Sequence, residues 1–108
     1  MGQERTAGPA TLNNTWQNIG DLVAAAFLAA GAYSDSPSAW KDVTFRVPTT
    51  SLGCRVALTQ KTTVPTSDLV SILIAPGEFR VFSLVDFSTA WVKSPGGVSI
   101  LEITGSPE

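Results

Sequence analysis

The stretch that decides the fold class is residues 64–104, VPTSDLVSILIAPGEFRVFSLVDFSTAWVKSPGGVSILEIT. Short runs of β-branched and aromatic residues alternate in it with Pro, Gly, Ser or Asp. Short runs between turn residues at regular spacing are typical of antiparallel strands joined by tight turns. The sequence therefore predicts a mainly β chain, folded as an antiparallel β-sandwich or a jelly-roll-like barrel.

Two strands are expected before this stretch. Over residues 42–47, and again over 54–60, apolar residues tend to alternate with polar ones. Period-two alternation indicates a strand with one face in the core and one face in solvent.

Three features are expected within the stretch itself. Residues 69–74 are almost wholly apolar, which predicts a strand covered on both faces. Pro76-Gly77 predicts a type II turn with Gly supplying a positive φ. The apolar phase slips by one residue between Val81 and Phe82, which predicts a β-bulge or a strand that changes sheet.

One short helix is expected near the N-terminus, over residues 19–30. Apolar residues recur there on one helical face: Ile19, Leu22, Val23, Ala26, Phe27 and Ala30. Asn18 or Asp21 could cap its start. The rival interpretation is two short strands, but alanine is poor in strands and favours the helix.

Residues 1–14 are polar and are predicted to form an N-terminal arm, either flexible or ordered on a neighbouring subunit. Residues 15–108 contain no linker and are predicted to be a single domain of ordinary size. The N-terminus has no signal-peptide core, and the run LVAAAFLAAGAY is too short to span a bilayer. No membrane partner is expected.

Composition argues against nucleic acid as a partner. Only 15% of the residues are charged, where a quarter is usual, and the net charge is -2. The seven basic residues are scattered singly, so no basic stripe exists to bind phosphates. A charge-poor surface instead suits a protein that is covered by other protein.

The chain offers little for catalysis or metal binding. It has no histidine and a single cysteine, Cys54. Nucleophilic or general acid–base catalysis needs a base near a nucleophile, and zinc needs nitrogen or sulfur ligands. Neither an enzyme nor a metal or other cofactor is expected, and Cys54 is interpreted as a buried apolar residue rather than a reactive or intermolecular thiol.

Aromatic residues are the candidates for binding. Trp91 lies within a predicted strand and is expected to pack in the core or at an interface. Trp16 and Trp40 flank loops and, with Tyr33, are the candidate interface residues, because exposed aromatics anchor protein interfaces. Stacking of sugars on Trp16 or Trp40 is the alternative.

The segments 64–68 (VPTSD), 74–78 (IAPGE) and 90–94 (AWVKS), followed by a glycine turn and a last strand, resemble small virion structural proteins of tailed bacteriophages. The resemblance covers residues 43–104. It implies a β-sandwich that decorates or cements a capsid, or forms part of a head fibre or tail. It also implies a trimer or other oligomer, with N-terminal arms that reach along neighbours.

The resemblance leads to one principal hypothesis. The chain is expected to be a capsid decoration or cement protein that binds the major capsid protein or other virion proteins as a homo-oligomer, with a trimer favoured. Its location would be the capsid surface, after assembly in the host cytoplasm. The alternative is a carbohydrate- or host-binding β-sandwich module of a phage fibre or tail.

Overall fold

The computed structural model describes residues 5–6, 9–30 and 39–107. Three short strands, β1 (Arg5–Thr6), β2 (Ala10–Leu12) and β3 (Gln17–Asn18), precede the helix α1 (Ile19–Ala30). Next come β4 (Ala39–Arg46), β5 (Cys54–Leu58), a first 3₁₀ turn (Asp68–Val70) and β6 (Ile72–Ile74). The last elements are β7 (Phe79–Asp86), a second 3₁₀ turn (Phe87–Thr89), β8 (Ala90–Lys93) and β9 (Ser99–Pro107).

The strands form two antiparallel sheets. The first has the order β1-β9-β4-β7, with β2 also paired to β9, and the second has the order β3-β8-β5-β6. Side chains from both sheets meet in one buried cluster, for example Phe45 and Ile103 from the first sheet and Val56 and Val92 from the second. The prediction of a mainly β sandwich is confirmed, in the form of two separate sheets.

The alternation in the first predicted strand is confirmed, but in the second it holds only over Cys54 to Val56, because Ala57 is buried and Leu58 is 42% exposed. Val43, Phe45 and Val47 are buried while Arg46 is exposed. β5 is shorter than predicted and ends at Leu58.

The predicted helix is confirmed over residues 19–30. Ile19 and Val23 are fully buried, as the periodicity predicts for one face. The Asn18 Oδ1 accepts a hydrogen bond from the Asp21 backbone N–H at 3.3 Å, so Asn18 is the capping residue. No helix in the described ranges is long and apolar enough to cross a bilayer.

The predicted arm over residues 1–14 is wrong where the structure describes it. β2 pairs antiparallel with β9 from Ala10↔Leu101 to Leu12↔Ser99, and β1 pairs with the same strand. Leu12 is fully buried in the core cluster. Residues 10–12 therefore belong to the domain. Their backbone groups form hydrogen bonds with β9, and the side chain of Leu12 fills a site in the core.

The predicted strand over residues 69–74 is wrong in both extent and burial. Only Ile72–Ile74 form a strand, and the preceding residues form the first 3₁₀ turn. Ile74 is buried, but Leu69 is 95% exposed and Leu73 is 45% exposed. β6 lies at the edge of its sheet, so little of this apolar run is covered by the chain itself.

The bulge predicted at Val81-Phe82 lies elsewhere. β7 pairs with β4 in a single register, from Arg46↔Phe79 to Ala39↔Asp86. The register shift is in β4, between Lys41 and Thr44 against β9, where Asp42 adopts a φ of 52°. Aspartate tolerates this left-handed conformation better than most residues.

The turn at Pro76-Gly77 is confirmed. The Glu78 N–H donates to the Ala75 carbonyl oxygen at 2.9 Å, and Gly77 has a φ of 82°, as a type II turn requires. This turn joins β6, an edge of the second sheet, to β7, an edge of the first. Two open sheet edges therefore lie on the same side of the sandwich.

Candidate functional site

Trp40, a predicted interface residue, is a core residue. Its side chain is 1% exposed and packs edge-on to Phe87, with ring centroids 5.3 Å apart. On a regular strand Trp40 and Val43 would face opposite sides, but the irregularity in β4 turns both toward the core. Trp40 cannot contact a partner or stack on a sugar while the domain is folded.

Trp16 is half-buried on the outside of the second sheet. The Lys93 Nζ lies 5.0 Å from its ring centroid, and the same ammonium contacts Asp68 Oδ1 at 2.5 Å. One face of the indole therefore holds a cation, which disfavours a sugar on that face. A contact of Trp16 with a partner stays a prediction, and Tyr33 lies outside the described residues.

Trp91 is buried, with 6% of its surface exposed. Its indole Nε1 donates a hydrogen bond to the Lys61 carbonyl oxygen at 3.1 Å. Trp91 follows the core-facing Ala90 along β8, so it faces the opposite side of the sheet, beneath the loop that contains Lys61. Trp91 thereby fixes this loop on the outside of the second sheet.

The loop forms one wall of an open groove of about 520 Å³. Three exposed apolar side chains, Leu58, Val64 and Val70, line the groove. Hydroxyl groups and one cation line the remainder: Thr59, Thr63, Thr66, Ser67 and Lys61. A lining that combines apolar side chains with hydroxyl donors and acceptors suits a protein-binding surface.

The first 3₁₀ turn lies beside the groove and is held firmly. The Ser67 Oγ accepts from the Leu69 N–H at 3.1 Å, and the Ser71 Oγ donates to the Asp68 carbonyl oxygen at 2.7 Å. The Asp68 carboxylate also contacts the Arg55 Nε at 3.7 Å, in addition to Lys93. These contacts fix the backbone that carries Leu69, whose side chain projects into solvent.

A second cleft, of about 210 Å³, connects the groove to β7, because Leu58 and Leu84 both line it. Nine of the eleven exposed large apolar side chains in the described ranges lie in the groove or the cleft, on the first 3₁₀ turn, or on the edge strands β6 and β7. We call this set the apolar edge surface: Leu58, Val64, Leu69, Val70, Ile72, Leu73, Phe79, Val81 and Leu84. At about half exposure, nine such side chains present on the order of 500 Å² of apolar surface in total, divided between the groove side and the outer face of the first sheet.

The sequence missed this surface because it treated apolar runs as core. The signal that could have revealed it is Ser67-Asp68 ahead of Leu69-Val70, since a hydroxyl or carboxylate two residues before an apolar pair often begins a helical turn. Pro65 likewise separates the run from the strand before it. Neither signal says whether the apolar residues after it are covered.

Cys54 is buried and is not a candidate reactive group. Burial raises the pKa of its thiol from an ordinary value of 9.0 to about 12. The thiolate is the reactive form of cysteine, so the folded protein keeps this group inert near neutral pH. No three side chains of the metal-binding types converge within the described ranges.

The raised pKa of Cys54 predicts a loss of stability in alkali. The unfolded chain ionises this thiol near pH 9 and the folded chain near pH 12, so deprotonation favours the unfolded state. Stability should be full below about pH 9 and fall as pH rises above it. Urea unfolding midpoints measured across this range should fall less steeply for Cys54→Ala, which keeps every other titrating group. Equal slopes for the two proteins would contradict the prediction.

No family model, curated protein or solved structure matches the chain. The fold and the apolar edge surface are therefore what bears on function.

Proposed function

We propose that the chain is a structural protein of a tailed-phage virion, a capsid decoration or cement protein that stabilises the shell. It binds the outer surface of the major capsid protein lattice as a homo-oligomer, and it performs no catalysis. The observation that carries the contact site is Leu69, which is 95% exposed on an anchored turn beside an apolar groove. The segments 64–68, 74–78 and 90–94 supply the virion assignment by resemblance.

Leu69 has the properties of an anchor for a partner protein. Its backbone is already ordered by Ser67 and Asp68, so binding would cost little further entropy. An apolar side chain that enters a pocket on a partner contributes more than its neighbours at the rim of an interface. The adjoining groove adds apolar contacts, and its threonine hydroxyls provide donors and acceptors.

The surface area also fits a stable complex. The four exposed apolar side chains in and beside the groove, Leu58, Val64, Leu69 and Val70, present on the order of 300 Å², more than a third of the roughly 800 Å² that each partner contributes to a standard interface. The salt bridges next to the groove are internal to the chain, so Asp68 and Lys93 are already neutralised. A partner would therefore meet an apolar and hydroxyl-lined surface with little unpaired charge.

The test is co-expression with the major capsid protein encoded in the same genome, followed by sedimentation of the assembled shells. The wild-type chain should sediment with the shells, and Leu69→Asp should bind at least about tenfold more weakly, a loss of about 1.4 kcal/mol. Leu52→Asp is the matched control, because Leu52 is 51% exposed but lies outside the apolar edge surface. Its binding should equal that of the wild type.

Three outcomes would overturn the proposal. A genome without a major capsid gene would remove its basis, and shells that leave the wild-type chain in the supernatant would remove its partner. The carbohydrate-binding alternative would be favoured if the chain did not bind shells but bound a glycan, and if Trp16→Ala abolished the glycan binding.

A further inference from the structure

The edge strand β7 has no strand on its outer side among the residues that the structure describes. It has eight residues and pairs only with β4 among the described elements. The backbone N–H and C=O groups on its other side therefore have no strand partner in that part of the chain. An open edge of this length is a template for another strand.

Most of the usual protections of an edge strand are missing from β7, and Arg80 is the one cation within it. It contains no proline and no lysine, and its register with β4 is unbroken. Its apolar side chains are exposed instead: Phe79 at 62%, Val81 at 58% and Leu84 at 53%. An edge that is both apolar and regular favours strand addition over solvation.

Strand length selects which part of a second copy can fill this edge. The other edge strands in the described ranges have two or three residues: β1, β2, β3 and β6. The longer strands β4 and β9 are interior to the first sheet. Only β7 of a second copy offers an open edge of eight residues.

Charge supports an antiparallel pair of these strands. β7 carries one cation, Arg80, near its start and one anion, Asp86, at its end. In an antiparallel pair the Arg80 end of each strand lies beside the Asp86 end of the other. Arg80 has no ion pair within the described ranges, and Ser88 occupies only the Oδ1 atom of Asp86. Arg80 pairs with the buried Phe45 and Asp86 follows the buried Val85, so the two charges lie on opposite faces of the sheet. They attract across the pair without forming a direct ion pair.

We infer that two copies of this chain associate through antiparallel pairing of β7 with β7 about a twofold axis, which joins their first sheets into one continuous sheet. The same surface on both copies closes the assembly as a dimer, whereas pairing of unlike edges would propagate as a fibre. Phe79, Val81 and Leu84 are buried on association. This deepens the proposed function, on which it rests for the expectation of an oligomer, and it replaces the implied trimer by a dimer.

The test is the solution mass of the full chain, measured by sedimentation equilibrium over a series of concentrations. The wild type should form a dimer. Val81→Lys, which places a charge on the exposed edge, should raise the dissociation constant at least about tenfold. Val98→Lys is the matched control, since Val98 is 67% exposed and lies outside β7. Arg80→Glu should also weaken the dimer, because it leaves each copy of β7 with two anions and no cation, and Arg80→Lys should preserve it.

Any other result would overturn the inference. A monomer at every concentration, a trimer, or a dimer that withstands both Val81→Lys and Arg80→Glu would contradict pairing through β7. If β7 instead pairs with a strand of another protein, the purified chain would be a monomer. That result would also contradict the inference. Circular dichroism checks that each variant is folded. If Val81→Lys is unfolded, the solution mass of Arg80→Glu tests the pairing instead.

The two proposals fail separately. If the chain dimerises through β7 but does not bind shells, the proposed function alone is overturned. A chain that binds shells as a monomer overturns the β7 pairing and the homo-oligomer but leaves the binding to the capsid lattice intact. Leu69→Asp should leave the mass of the dimer unchanged, because Leu69 lies outside β7.

Discussion

Replacing Trp40 by alanine should lower the free energy of unfolding by about 3–5 kcal/mol, the cost of removing a large buried aromatic side chain. Trp40 is 1% exposed and packs against Phe87, and the backbone of Gly105 lies so close that a Cβ there would be 3.0 Å from the indole. No neighbour can collapse easily into the space the indole would leave. Because domains of this kind are stabilised by only about 5–15 kcal/mol, the variant should be close to unfolded at body temperature.

Urea denaturation followed by circular dichroism measures this loss. Trp16→Ala is the control, and it should cost about 1 kcal/mol, since a half-buried ring and one cation–π contact with Lys93 are removed. Comparable losses for the two variants, or a loss below about 1 kcal/mol for Trp40→Ala, would mean that Trp40 is not part of the core.

Deleting residues 1–14 should abolish the cooperative fold. The deletion removes β1 and β2, which both pair with β9, and it removes Leu12 from the core. It leaves backbone groups of β9 without partners and a cavity where the leucine was, and both effects destabilise the domain. Amide NMR spectra should lose their dispersion.

Single substitutions separate the two contributions of this segment. Leu12→Ala should cost about 2–5 kcal/mol because the side chain is fully buried. Thr11→Ala, on the exposed side of the same strand, should change stability by less than about 0.5 kcal/mol. If the deletion variant were as stable as the full chain, residues 1–14 would be an arm independent of the domain, as the sequence predicts, and the present account would be wrong.

The elements that the sequence predicted correctly are those with a repeated local signal. Strand β4 shows period two over Val43, Phe45 and Val47, and α1 shows a helical face and a capping Asn18. The turn at Pro76-Gly77 is specified by the residues it contains. In each case the signal lies within a few consecutive residues, and it does not depend on which distant strand packs beside them.

The errors arise where distant strands decide the outcome. Residues 10–12 are too few to show a period, and they form a strand only because β9 runs beside them. Trp40 would face away from Val43 on a regular strand, but the irregularity at Asp42 reverses this. A single left-handed aspartate leaves no apolar signal in the sequence.

The candidate site shows a different kind of error. Apolar residues at 69–74 and in β7 were interpreted from their hydrophobicity as covered strands or as the marker of a bulge, yet most are exposed. Hydrophobicity indicates that a side chain avoids water, but it does not say whether its own chain or a partner covers it. The sequence therefore placed the binding surface on tryptophans, while the exposed apolar area lies along the two open edges.

The most direct test of the account is amide hydrogen exchange of the full chain, with and without shells of the major capsid protein encoded in the same genome. The account predicts slower exchange on addition of shells over residues 59–73, which contain the groove wall and Leu69. Unchanged exchange over these residues, with protection confined to 49–53 and 95–98 around Leu52, would contradict it.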